Sequence, residues 1–457
     1  MAGIGFELRK ILSRNTYTAT LQAYFYAGVI SSGPWVLSIL TVMLIGMLSL
    51  SIATPSLLVR QFLVSVTYLM AGSLILTGGF QIFFTRFVSD RYFENNKYLI
   101  LPNLIGVIAF VTLLAVIVSS VVAYLFFLQL SPLYIALMMT NFVVLCNFWM
   151  VVIFLSSMKA YHRIVGVMVC GYSIMLLAAW FLRIYDLPGL LCALLIGHSV
   201  LFFAFLFDIL REYPAKKLVD FTFLDRKKSF YSLVAIGFFY NVGIWIDKIF
   251  FWFNPMLSEA VIGPLRASVL YDLPIFMAYL TIIPGMAVFL VRIETDFVEW
   301  YDRLFSAIRG GQTLQSIMEL KEGMILSIRH GLIDICKVQG FVLVILLVFG
   351  PHLLHALGVS EYYLPLFYIL VVGVGLQVVF MALLNIFFYL DERRPVLFLS
   401  ALFVVLNALL TWLSQLMGPS FYGYGFTVSL AISCVVALHI LNRLLDDLEY
   451  DTFMQRH

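Results

Sequence analysis

The sequence predicts an all-α polytopic membrane protein with twelve transmembrane helices in two six-helix halves. Three observations predict it. Of the 457 residues, 63% are apolar and 12% charged, against about 45–50% and about 25% in soluble domains. Mean hydropathy is +1.02. Apolar stretches of the roughly 20 residues that one span requires recur along the whole chain. These observations exclude a soluble enzyme, a disordered chain and a disulfide scaffold. The five cysteines (Cys146, Cys170, Cys192, Cys336 and Cys434) lie in or beside apolar stretches, so no disulfide framework is expected.

Windows bounded by charges, Pro or Gly place the spans at about 21–48, 61–85, 98–127, 133–157, 164–182, 189–210, 230–253, 266–290, 331–350, 363–390, 396–417 and 425–441. The first is too long for a signal-peptide core and reads as a retained helix. An even count puts both termini on one side, and 23 of the 28 Lys and Arg residues fall on that side. By the positive-inside rule both termini are cytoplasmic.

Residues 211–229 carry Arg211, Lys216, Lys217, Arg226, Lys227 and Lys228. This basic cytoplasmic linker separates an N-terminal lobe, 1–210, from a C-terminal lobe, 230–457. The halves resemble each other. Gly79, Phe83, Arg86 and Asp90 recur as Gly285, Phe289, Arg292 and Asp296, at an offset of 206, and Gly33 and Trp35 recur as Gly243 and Trp245. Parallel repeats of this kind are a transporter architecture.

Spans one and seven carry helix-weakening residues at matching places: Gly33 and Pro34 in the first, Gly237 and Gly243 in the seventh. Paired interrupted helices point to a transport route, although Gly and Pro also serve close packing in membrane helices. Trp35, Tyr240, Asn241 and Trp245 lie beside these positions as candidate route-lining groups. Charges within the membrane need a partner or a cavity. Asp247 and Lys248 sit roughly 25 Å along the seventh helix, in its outer third, and Asp272 returns at similar depth in the eighth, with Arg266 nearer the mouth. These four groups are expected either to line and gate the route or to form a structural ion pair with an interfacial arginine. Asp334 and Lys337, at i,i+3, are expected to pair.

The stretch 291–330 is expected to form a cytoplasmic amphipathic helical insert. Phe297, Trp300, Tyr301, Leu304, Phe305 and Ile308 share one helix face, and Gly310-Gly311 breaks the pattern before a looser stripe begins. That face is a candidate docking surface for a partner or for the bilayer. Gly5–Arg14 is a shorter candidate of the same kind. No GxxxxGK[ST] phosphate loop occurs. The one close histidine pair, His352 and His355, lacks a convincing third metal ligand, and no nucleophile–base constellation stands out. Neither an enzyme nor a cofactor is expected.

The segments MAGIGFELRK, YAGVISSGPWVLSI and YNVGIWIDKIFFW resemble the exopolysaccharide exporters of the multidrug/oligosaccharidyl-lipid/polysaccharide flippase superfamily, and the resemblance covers the whole chain. It implies two six-helix lobes around a central cavity in a bacterial inner membrane. It also implies a galactosamine-rich, initially N-acetylated polymer as substrate. The implied partners are a cytoplasmic glycosyltransferase, a cyclic-di-GMP receptor subunit and a membrane scaffold subunit. Two other readings remain open: a cation-coupled drug or small-solute antiporter of the same superfamily, and a non-transporting scaffold for the synthase.

Overall fold

A chain this apolar satisfies its backbone polar groups within its own segments, because lipid offers no partner for them. The computed structural model is accordingly almost wholly helical, and it describes residues 16–49, 55–152, 161–225, 230–356 and 359–454. The helices are α1 Tyr17–Ser49, α2 Pro55–Phe93, α3 Ile100–Val122, α4 Pro132–Val152, α5 Tyr161–Leu182, α6 Asp186–Glu212 and α7 Ser232–Phe253. After them come α8 Val269–Leu280, α9 Ile283–Val291, α10 Val298–Arg309, α11 Leu314–Ala356, α12 Leu364–Tyr389, α13 Arg393–Met417 and α14 Tyr424–Met454.

Among the described residues ten segments are long and apolar enough to cross a membrane. One of these, Arg163–Glu212, holds both α5 and α6, and α1 is a further 33-residue helix. The arrangement is consistent with twelve spans. The segment Gly5–Arg14 lies outside the described residues, as do the side chains of Gly33, Pro34 and Trp35.

The chain packs as two compact units, Gly33–Val269 and Met1–Ser32 with Leu270–His457. In the first, polar side chains tie helices together across an apolar interior. Asn141 Nδ2 donates to the Leu191 carbonyl at 3.1 Å, Asn147 Nδ2 to Thr112 Oγ1 at 2.8 Å, and Trp149 Nε1 to Ser73 Oγ at 3.1 Å. The basic linker belongs to this unit. The Phe223 amide donates to Asn103 Oδ1 of α3 at 3.0 Å, and the Phe223 ring is buried beside Phe83 and Phe84.

Between α7 and α8 lies a feature with no counterpart in the hydropathy pattern. Strands β1 Glu259–Ile262 and β2 Leu265–Ala267 pair antiparallel, turning at Gly263 with φ +52°. The hairpin is pinned to α2 by the Arg60–Glu259 ion pair at 2.6 Å and by Tyr68, whose hydroxyl donates to the Arg266 carbonyl at 3.0 Å.

In the second unit, α9 runs through a π-helical turn, Arg292–Phe297, into α10. Gly310-Gly311 reverses the chain into α11, 43 residues long. The predicted insert is therefore a hairpin made of helical extensions of the neighbouring spans. Gly425 sets a close approach here, packing on the Thr411 backbone, and Gly28 of α1 sits against Ile283 and Ala287 of α9.

Candidate functional site

Both helices predicted to break run without interruption through the marked positions. Helix α1 continues across Gly33 and Pro34, and α7 across Gly237 and Gly243. The reason at Gly237 is packing. Its missing side chain lets α7 press against the backbone of Gly78 and Gly79 in α2. Gly28 of α1 makes only ordinary contact with α9, its Cβ position 3.5 Å from Ile283 Cγ2 and 3.6 Å from Ala287 Cβ. Arg86 pairs with Asp90 at 3.0 Å and Arg292 with Asp296 at 2.8 Å, both at i,i+4.

Further along α7, Asp247 and Lys248 are fully buried. Lys248 Nζ donates to the Ile244 carbonyl at 2.8 Å and lies 3.2 Å from each Asp247 carboxylate oxygen. The Trp245 ring centre is 5.6 Å from that ammonium, a cation–π distance. Trp245 itself is buried against Ala71 and Trp252, and Trp252 stacks on Tyr68 at 4.6 Å. It is thus a packing residue of the α2–α7 interface rather than an open face for a ligand. Tyr240 and Asn241 stay half-exposed on the same helix, and Asn241 Nδ2 donates back to the Gly237 carbonyl at 2.9 Å.

The expected four-charge cluster is built differently. Asp247 and Lys248 pair with each other, while Arg266 serves the hairpin. Its Nε donates to Ser258 Oγ at 2.8 Å and its terminal nitrogen to the Ser258 carbonyl at 2.7 Å. Asp272 stands in the first turn of α8, in the other unit.

The second unit holds a larger polar network. Arg292 reaches Asp296 and Asp334, each at 2.8 Å, and Lys337 lies 3.3 Å from Asp334, the pair its i,i+3 spacing predicts. Beside it, in the π turn, Glu294 is 6% exposed. It accepts hydrogen bonds from Asn385 Nδ2 at 2.7 Å and from the Tyr389 hydroxyl at 2.6 Å. π turns inside helices frequently mark functional positions. Asn385 is one of the neutral polar residues within the apolar spans, while Glu294 and Tyr389 are not singled out by the sequence. The signal was present as Asn385 and Tyr389, an i,i+4 polar stripe at the end of an otherwise apolar helix.

The apolar face of the 291–330 hairpin is covered in part by the chain itself. Phe297 and Leu304 are buried, Phe297 and Tyr301 pack on Tyr389, and the Trp300 ring occupies the gap left by Gly323. Phe305 and Ile308 are half-buried. Part of this face packs α10 on α11 and α12 through Phe297 and Leu304, while Trp300, Tyr301, Phe305 and Ile308 stay partly exposed.

Solved transporters share this fold. A MOP superfamily transporter from Pyrococcus furiosus is 13% identical, the match covering 93% of this chain and 96% of that one with a TM-score of 0.62. A MATE transporter in the bent conformation is 13% identical over 98% and 99% of the two chains, with a TM-score of 0.63. A MATE transporter of Vibrio cholerae is 13% identical over 97% and 98%, with a TM-score of 0.59. The protein therefore has the fold of MOP superfamily transporters and is a multi-pass membrane protein. The family model of the PelG exopolysaccharide exporters (EPS-E) matches residues 1–453, and the chain belongs to that family. No curated relative matches it by sequence.

Proposed function

We propose that the protein carries a galactosamine-rich, N-acetylated polysaccharide across the bacterial cytoplasmic membrane as part of a synthase-dependent secretion complex. The observation that supports this most is the exporter-family match over residues 1–453 of a chain with a transporter fold. The charge arrangement agrees with a neutral substrate. Asp247 is matched by Lys248, and Asp296 and Asp334 by Arg292 and Lys337, so these networks leave no block of one sign to hold a polyanion. N-acetylated hexosamine units call instead for hydroxyls, amides and aromatic faces.

In this reading the route runs along α1 and α7. Trp35, Tyr240 and Asn241 meet the polymer, Asp247 and Lys248 hold or gate its outer end, and Trp245 keeps α7 in place. The lobes 1–210 and 230–457 act as the two repeats, joined by 211–229. Both termini face the cytoplasm, where the bulk of the basic residues lie. A cytoplasmic glycosyltransferase supplies the chain, and a cyclic-di-GMP receptor and a membrane scaffold complete the assembly.

The test is secreted and intracellular polymer in cells carrying Tyr240→Ala with Asn241→Ala, with membrane protein level measured in the same samples. Lost secretion with intracellular hexosamine polymer at normal protein level supports the route. Normal secretion removes α7 from it, and normal secretion after deletion of the whole chain overturns the function.

The antiporter alternative has one observation in its favour, the buried Glu294 carboxylate between Asn385 and Tyr389. Solute uptake by reconstituted protein that follows an imposed proton or sodium gradient, and is lost in Glu294→Gln, would establish it. The scaffold alternative rests on the part of the 297–308 stripe that stays partly exposed; unchanged partner recovery after shortening the 310–311 turn region would dismiss it.

A further inference from the structure

A groove runs along the second unit between α11 and α14, with Val379 of α12 in its floor. From α11 it is lined by Ile325, Ile328, Leu332 and Cys336, and from α14 by Leu438, Leu441 and Leu445. The α11 positions follow a strict helical stripe from 325 to 337, a rise of about 18 Å. That is close to one leaflet, half of a hydrocarbon core about 30 Å thick. The groove encloses about 600 Å³. One turn beyond it on the cytoplasmic side, Lys321 pairs with Glu449 at 3.2 Å and ties its two walls together.

Three polar groups also line it: Arg329, Lys337 and Asn442. Arg329 is exposed and has no ion-pair partner among the described residues. Lys337 stands about 12 Å further along the axis, but its pairing with Asp334, three residues back, turns the ammonium toward the Arg329 end. Asp334 is shared with Arg292, which also pairs with Asp296, so Lys337 belongs to a balanced network of two cations and two carboxylates and Arg329 is the cation left to meet a ligand. The groove is therefore apolar along its length, and among its lining residues Arg329 is the one charge not balanced within the chain. It also opens on a surface that faces lipid. Only 11% of the most apolar window of α11 is buried, and Phe341, Val344, Val348 and Phe349 lie exposed beyond it.

We propose that this groove holds one anionic phospholipid of the cytoplasmic leaflet. The headgroup phosphate sits against Arg329 and Asn442, and an acyl chain runs from there toward the bilayer centre along Leu332, Cys336 and Leu438. The charge pattern selects this occupant. An isolated cation at a membrane surface is satisfied by an anionic headgroup, whereas a neutral lipid or a second apolar helix leaves Arg329 without a counter-charge. The inference is independent of what the transporter carries.

The test uses the full-length protein in lipid nanodiscs containing a trace of photoactivatable phosphatidylglycerol or photoactivatable phosphatidylcholine, with adducts mapped by peptide mass spectrometry. Adducts are expected to concentrate on 325–337 and 438–445. Phosphatidylglycerol should be favoured about five-fold, the size expected for one cation at an anionic surface. Arg329→Ala should abolish that preference, and Leu332→Trp, which fills the groove, should abolish the adducts. Thermal unfolding shows whether each variant is folded; the exposed Arg329 keeps the test decisive if Leu332→Trp is not. Labelling spread evenly to 341–349, equal labelling by the two lipids, or groove peptides protected in a dimer of this chain would each overturn the proposal.

Discussion

Gly237 of α7 lies directly on the backbone of Gly78 in α2: a Cβ built on Gly237 falls 2.7 Å from the Gly78 carbonyl carbon and 2.8 Å from the Gly79 Cα. Backbone cannot step aside as a flexible side chain can. Gly237→Ala is therefore expected to push the two helices apart and to lower stability by about 1–3 kcal/mol, the usual range for overpacking. Gly340→Ala is the control, since nothing lies within 4 Å of its Cβ position; it should be neutral or stabilising by up to about 1 kcal/mol. Thermal unfolding of the two purified variants against wild type checks both, and equal behaviour would dismiss the close-packing role.

The Asp247–Lys248 pair separates structural from functional charge. Removing one partner strands the other in a fully buried site, which typically costs about 3–5 kcal/mol. Lys248→Met should thus lower the unfolding temperature sharply. The double variant Asp247→Asn with Lys248→Met should recover most of that loss, because it leaves no unpaired ion. If the double variant is stable and still exports polymer, the pair holds α7 and does no more. If it is stable and export stops, the charges act on the route.

Much of the architecture was legible because lipid imposes a length and a polarity on every span. Arg86/Asp90 and Arg292/Asp296, which recur in the sequence at a fixed offset, each form an i,i+4 ion pair. The hairpin at 259–267 was not legible, because strands of four and three residues ending in Gly-Pro carry no periodicity distinct from a loop. The face of Phe297, Tyr301 and Leu304 was read correctly as apolar, but an amphipathic stripe shows that something covers it and not what. Glu294 was hidden by its neighbours. Among Arg292, Asp296 and Glu299 it looks like one more loop charge, and only the return of α12 places Asn385 and Tyr389 against it.

Glu294 makes a prediction that hydropathy does not. Its two carboxylate oxygens each accept from a neutral donor, Asn385 Nδ2 and the Tyr389 hydroxyl. Glu294→Gln keeps the shape and both contacts, its Oε1 accepting from Asn385 and its NH2 donating to the Tyr389 hydroxyl, but exchanges hydrogen bonds to a charged group for neutral ones, so about 1 kcal/mol of stability should be lost. Tyr389→Phe removes one donor and should cost a similar amount. The two losses should not add, because both variants alter the same hydrogen bond. Unfolding of the single and double variants tests this; full additivity would mean that the carboxylate does not depend on Tyr389.

The linker offers a prediction that needs no transport assay. Asn103 in α3 holds the Phe223 amide, and the Asp220 amide donates to the Pro102 carbonyl at 3.0 Å, so the basic segment is tied to the first unit by its backbone. Asn103→Ala should loosen it and speed tryptic cleavage after Lys216 and Lys217. The turn has its own acid limit. The Thr222 hydroxyl, donating to Asp220 Oδ1 at 2.7 Å, holds the carboxyl below its ordinary value, and the Phe221 amide and the Lys217 charge act in the same direction against partial burial. A depressed carboxyl contributes stability above its unfolded value of about 3.9 and loses it as pH falls through the lower folded value. Cleavage by an acid-tolerant protease should therefore be flat from pH 7 to about 5 and rise only below about 4. Thr222→Val should move that rise to higher pH. An onset unmoved in Thr222→Val would mean that the carboxylate is not what fastens the turn.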